Sequence, residues 1–268
     1  MRATDLAASG ASGVGLYTFV SEACGATAFS TGLGVFKPGA LLPYHTHPIS
    51  EAVTVVDGSA RLFVQGRAYR LGPLDCAHIP AGIAHLVQND DASRELITHS
   101  AFGSARPVRE LTAQNFPVEE RASENPHAGD PETIIRFDKS PFYELSENAF
   151  FTDLFARRLG AVGICGGYGK FRPGASLPCH IHEYDESITI VEGSATCLVQ
   201  GRRYQLKDYA TAYVPRGLPH RFINASDREM AMIWVYAGDE PDRRIVDNDY
   251  CSGLLAWPGP DLAVEKES

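Results

Sequence analysis

Apolar residues along this chain come in short β-branched runs that stop at turn signals. Residues 53–56 (VTVV) run into Asp57 and Gly58, residues 61–64 (RLFV) into Gln65 and Gly66, and residues 77–79 (AHI) into Pro80 and Gly82. Asp-Gly and similar pairs between β-branched runs are hairpin and turn signals. Runs of this kind recur roughly every 8 to 12 residues without a sustained 3.6-residue period, which predicts small all-β barrels or sandwiches.

The punctuation is then repeated. Residues 35–71 and 170–206 align without a gap at an offset of 135 residues, with about half the positions identical. Glu192-Gly193, Gln200-Gly201, Pro215 and Gly217 mark the same turns in the second copy. Two similar domains are therefore expected, residues 1–125 and 126–268. The stretch from roughly Ser104 to Phe142, rich in Pro, Glu, Asn and Asp, reads as the connection and a source of edge strands.

Within each copy the same four ligand-type residues stand at the same spacing. His45, His47, Glu51 and His85 are matched by His180, His182, Glu186 and His220. On a strand, residues two apart share a face about 6.6 Å apart, so His45 and His47 enter the barrel together. Glu51 has the same parity after the turn at Pro48, and His85, opening a strand after residues 80–84 (PAGIA), can reach the same point from across the barrel. Three imidazoles and a carboxylate suit a divalent first-row ion in octahedral geometry with two positions left for substrate. His78, His99 and His127 have no histidine counterpart and are expected at the surface or satisfied in the core.

Composition narrows the partners. With 268 residues, 44% hydrophobic and 21% charged, the chain has a globular balance, and its net charge of -9 opposes binding to nucleic acid or anionic lipid. The first 15 residues show no secretory core and no run of eighteen apolar residues occurs, so a cytoplasmic protein without a membrane span is expected. Six scattered cysteines without a C-x-x-C pair read as reduced, buried thiols.

These motifs resemble the cupin superfamily, and within it a bicupin. The first cupin motif, G-x5-H-x-H-x3-E-x6-G, is matched by residues 39–58 and 174–193, and the end of the second, P-x-G-x2-H-x3-N, by residues 80–89 and 215–224. Where the family usually has a glycine opening the second motif, this chain has Leu74 and Tyr209. The resemblance implies two tandem cupin jelly-roll β-barrels, each holding Fe or Mn, with Ni, Co or Zn as alternatives, up to two ions per chain. Two complete ligand sets argue against a seed-storage role.

The resemblance to oxalate decarboxylases is weaker at the pocket, since that family carries an arginine three residues before its first histidine and this chain has Leu42 and Leu177. An apolar wall of leucine, Val53, Val55 and Phe63 instead suits an enol, diketone or phenolic substrate. The two sites also differ between the histidine pair and the glutamate. Site one has Pro48, Ile49 and Ser50, whereas site two has Glu183, Tyr184 and Asp185, so site one is the favoured active site and the better place for an anion. Tyr184 is either a turn residue or a proton donor, and Tyr44 and Cys179 face away from the metal by strand parity. The expected function is a dioxygenase-type oxidoreductase acting on a small molecule. The alternatives are a non-oxidative isomerase, lyase or hydrolase, or a non-catalytic ligand-binding cupin; homo-oligomerisation is left open.

Overall fold

The structure is a computed structural model that describes residues 12–260. The described residues divide into two compact units, 12–140 with 154–165, and 141–153 with 166–260. The first unit therefore runs past the expected boundary at residue 125. Thr133–Ile135 pairs antiparallel with Cys76–Ile79, which ties the end of the connecting segment to the first barrel.

Each unit is a jelly-roll barrel of two sheets, antiparallel except where the edge strand Glu119–Ala122 runs parallel to Arg67–Leu71. In the first, one sheet runs Val14–Val20, Ser30–Phe36, Leu96–Phe102, Glu51–Asp57, Cys76–Ile79, Thr133–Ile135. The facing sheet runs Glu110–Leu111, Leu41–Thr46, His85–Gln88, Ala60–Val64, Arg67–Leu71, Glu119–Ala122. Strand alternation selects the core: Val53, Val55, Leu62, Val64, Tyr69, Leu71, Ala77, Ile79 and Val87 point inward together. Each large aliphatic side chain buried this way contributes about 1.5–3 kcal/mol.

The second unit repeats the design. Its six-stranded sheet contains Glu186–Glu192 between Met230–Tyr236 and Thr211–Val214, and its five-stranded sheet contains Ser194–Val199, His220–Ile223 and His180–Ile181. The edge strands drawn from the connecting segment are Glu110–Leu111, Glu119–Ala122 and Thr133–Ile135. A buried polar cluster fastens it further: Glu132 accepts from Arg67 at 2.6 and 2.8 Å and from the Tyr69 hydroxyl at 2.8 Å.

Both motif asparagines are structural. The Asn89 side-chain amide reaches the carbonyls of Phe36, Lys37 and Arg94, and that of Asn224 reaches Phe171, Arg172 and Arg228. At the position where the motif usually carries glycine, Leu74 and Tyr209 adopt left-handed backbone with φ 66° and 64°, so the turn is kept at the cost of strain. Its hydrogen bonds are kept as well, Leu74 N–H to Val55 O and Tyr209 N–H to Ile190 O.

One expectation fails here. Cys179 and Cys251 form a disulfide with Cα atoms 5.9 Å apart, while Cys24, Cys76, Cys165 and Cys197 remain thiols. Cys251 lies on the short helix Asn248–Ser252, and a separation of 72 residues hid the pair from any reading of spacing. The disulfide removes the thiol argument for a reducing compartment. Among the described residues no helix is long and apolar enough to cross a membrane.

Candidate metal centres

The ligand residues meet because the two sheets of each barrel converge at one end. His45 and His85 are register partners on neighbouring strands, as are His180 and His220 in the second copy. Glu51 and Glu186 open the central strand of the opposite sheet. In each set of four the ligand atoms lie within 4.8 Å of one another, and all eight side chains are buried. The structure thus assembles both predicted sets, giving two metal-binding sites of three histidines and one glutamate each.

The imidazoles are turned for coordination by their outer nitrogens. Nδ1 of His45 lies 2.7 Å from Pro43 O, that of His85 2.9 Å from Ile83 O, and that of His47 2.6 Å from Val108 O. Site two repeats this with His180 to Pro178 O at 2.8 Å, His220 to Leu218 O at 2.9 Å and His182 to Asp242 O at 2.5 Å. A carbonyl only accepts, so each Nδ1 carries the proton and each Nε2 lone pair faces inward.

The inner nitrogens crowd one carboxylate. Glu51 Oε2 is 3.2 Å from His47 Nε2 and 3.0 Å from His85 Nε2, and Glu186 Oε2 is 3.3 Å from His182 Nε2 and 2.7 Å from His220 Nε2. His47 Nε2 is nevertheless a buried atom without a hydrogen-bond partner among the described residues, as expected of a nitrogen shaped for an ion. Burial, aided by the neighbouring His85 imidazole, pushes His45 down to about 3. Burial also pulls on His47, but the neighbouring Glu51 carboxylate outweighs it and leaves His47 raised. Burial works against the Glu51 carboxylate as well, yet the neighbouring imidazoles of His47 and His85 hold it well below the usual range.

What surrounds the ligands differs from expectation. Leu42, Val53 and Val55 belong to the barrel core, and Phe63 turns to the other face, where Arg61 covers its ring at 4.7 Å, so none of these forms a substrate wall. Leu177 is buried likewise. The wall comes instead from other strands of the sheet that carries Glu51 and from the segment that follows them. A cavity of about 240 Å³ beside His47 is lined by Leu16, Leu33, Phe102, Pro107 and Arg109.

The acidic residues of site two are also largely spoken for. Glu183 pairs with Arg216 at 2.5 Å, and Asp185 accepts from the Tyr213 hydroxyl and the Arg216 N–H, both at 2.9 Å. Tyr184 is half-buried against Gly238, where an added Cβ would fall 2.5 Å from its ring. Tyr44 and Cys179 do face away from the ligands: the Tyr44 hydroxyl meets the Gly66 N–H at 3.1 Å and Cys179 enters the disulfide.

Among the unmatched histidines, His127 is exposed beside Glu124, His99 is buried, and His78 is buried with neither ring nitrogen partnered among the described residues. A satisfied role is thus not what His78 has.

Four site residues escaped the sequence reading. Phe102 is the register partner of Glu51 and packs its ring 5.0 Å from His47, while Tyr236 is the register partner of Glu186, with its hydroxyl 3.3 Å from His182 Nε2. Arg109 and Arg243 each follow the residue whose carbonyl anchors the second histidine, Val108 or Asp242. A signal existed: Pro107-x-Arg109 recurs as Pro241-x-Arg243, but at an offset of 134, one residue short of the gapless repeat.

A cupin domain model matches residues 32–98 and 167–236. No curated protein matches the chain by sequence. Among solved structures, oxalate decarboxylase from Bacillus subtilis at pH 4.6 is similar with TM-score 0.70 and 16% identity, over 91% of this chain and 76% of that one. The formate complex of Lactobacillus farciminis oxalate decarboxylase is similar with TM-score 0.72 and 16% identity, over 91% and 86%. A Bacillus subtilis oxalate decarboxylase studied for its Mn(II) centres is similar with TM-score 0.69 and 17% identity, over 87% and 75%. Identities this low speak for a shared fold.

Proposed function

The chain belongs to the cupin family, and from that premise we propose that it is a metal-dependent enzyme acting at site one on a small oxygen-donor molecule, by oxidation of the dioxygenase type. The observation that carries the proposal is the cavity of about 240 Å³ that opens onto His47, with an apolar side formed by Leu16, Leu33 and Phe102. A divalent ion held by His45, His47, Glu51 and His85 supplies Lewis-acid chemistry and, as Fe or Mn, one-electron chemistry. The chain supplies the rest. Carbonyls of Pro43, Ile83 and Val108 fix the imidazole tautomers, and Leu16, Leu33 and Phe102 exclude water around the bound carbon skeleton.

A second reading is a non-oxidative lyase. It is favoured by the fold shared with oxalate decarboxylases, one of them described by its Mn(II) centres, which also supports Mn as the ion here. An oxygen electrode separates the two. Metal-loaded protein is mixed with enols, diketones, phenols and small carboxylic acids while oxygen and substrate are followed. Oxygen uptake in step with substrate loss is expected; turnover at the same rate without oxygen overturns the dioxygenase reading in favour of the lyase. Ligand binding with no turnover by any compound replaces both with a binding protein.

A further inference from the structure

Arg109 has no evident structural employment. Its Nε is buried and has no hydrogen-bond partner among the described residues, and its side chain lines the same cavity as His47 and Phe102. Burial pulls the pKa of the guanidinium down from its usual value and Glu51 pulls it back up, so the group stands in reach of the metal-site charge without touching it. A buried, unpaired guanidinium N–H is costly unless something arrives to accept from it. The second copy repeats the arrangement: Arg243 Nη1 is buried without a partner among the described residues, and Glu186 is among the charges it feels. Two arginines following the same anchoring carbonyl, both left incomplete, indicate a common purpose.

Charge decides which ligand completes them. Three neutral imidazoles and one carboxylate leave a divalent ion with net charge near +1, and Arg109 raises the cavity to about +2. An anion is the complementary ligand, and a planar fork of N–H donors matches the two oxygens of a carboxylate. Across the cavity stand Leu16, Leu33 and Phe102 together with Thr18, Ser30 and Ser100, none of which carries a positive charge to meet a second carboxylate. We infer that Arg109 is the specificity residue of site one and selects a small monocarboxylate with a neighbouring hydroxyl or oxo group and a short apolar tail. The inference rests on site one being the working site. The guanidinium that Leu42 does not supply comes from the residue just before the edge strand Glu110–Leu111, which pairs with Thr46 and His45, so the apolar residue before His45 no longer counts against acid substrates.

The test uses Mn(II)-loaded full-length protein, isothermal titration, and two nearly isosteric probes, 2-hydroxybutyrate and its neutral amide. Metal content is measured first: a chain that takes no ion overturns the enzyme proposal itself, whereas the remaining outcomes bear on Arg109 alone. The acid is expected to bind at least tenfold more tightly than the amide. Arg109→Gln should weaken the acid at least tenfold, leave the amide within twofold and keep the metal content, and Arg109→Lys should fall between. Acid and amide affinities within twofold in the unaltered protein, or no acid binding at millimolar concentration, overturn the inference without need of any variant. So does loss of the tight phase in Arg243→Gln rather than in Arg109→Gln, or equally tight binding of inorganic phosphate.

Discussion

The two metal centres share every ligand, the carbonyls that orient the histidines and the arginine that follows, and differ in other side chains packed around them. Beside the second histidine, site one places the ring of Phe102 and a cavity, and site two places the phenol of Tyr236, 3.3 Å from His182 Nε2. Behind the glutamate strand, His78 pairs with Ala52 in the first copy where Tyr213 pairs with Ser187 in the second, and Tyr213 bonds to Asp185 while His78 bonds to nothing among the described residues. Before the first histidine, Tyr44 makes a hydrogen bond where Cys179 makes a covalent one. Ligation tolerates no change because an ion needs its full donor set, whereas the surrounding layer is free to specialise. The difference teaches that a duplicated site diverges first in the layer behind its ligands.

The largest effect should fall on turnover. With a substrate in hand, His47→Ala is expected to lower kcat by at least about 10³-fold, or roughly 4 kcal/mol. His182→Ala should leave measurable turnover while the metal content falls from two ions per chain toward one. Equal and complete loss in both variants would break the comparison and make the sites a coupled pair.

Next in size is the covalent difference. Cys251→Ser opens a bond that closes a 72-residue separation and should cost about 2–4 kcal/mol in urea unfolding. Tyr44→Phe, at the matching place in the first copy, removes only the bond to the Gly66 N–H and should cost about 1 kcal/mol. Costs that are equal, or in reverse order, would show that the bridge does not distinguish the two barrels.

A third difference is sensitive to acid. Burial pushes His78 down to about 4, whereas imidazole in the unfolded chain titrates near about 6.5. The unfolded state therefore takes up the proton first as the pH falls. Stability from this group is intact above about 6.5 and is lost toward pH 4, by roughly 3 kcal/mol in total. Metal-free protein and its His78→Phe variant, unfolded in urea at pH 7.5 and 4.5, should differ in pH dependence by about 2–3 kcal/mol. If both lose the same stability on acidification, His78 is not the buried neutral group described.

The ligand sets and the β class were legible because both obey short-range rules. Strand alternation is local, so the parity of His45, His47 and Glu51 could be read directly, and the duplicate copy multiplied the signal. Arg109 and Phe102 were not legible in the same way. They lie 51 or more residues after Glu51, and a one-residue slip moved their counterparts off the 135-residue register, leaving Pro107-x-Arg109 and Pro241-x-Arg243 unpaired by eye. The pocket wall was misread for a related reason: Leu42, Val53 and Val55 have the right parity to enter the barrel, but parity does not tell the metal end of the interior from the packed remainder.

By itself, then, the sequence determined two β-barrels and eight metal ligands, since strand period, turn residues and ligand spacing are written within a few tens of residues. Tertiary structure alone decided the Cys179–Cys251 bridge, the carbonyls of Val108 and Asp242 that orient His47 and His182, and the placing of Arg109 in the cavity beside His47. Each of these joins segments far apart in the chain, and such contacts are fixed by how the sheets close on one another, which no local period encodes.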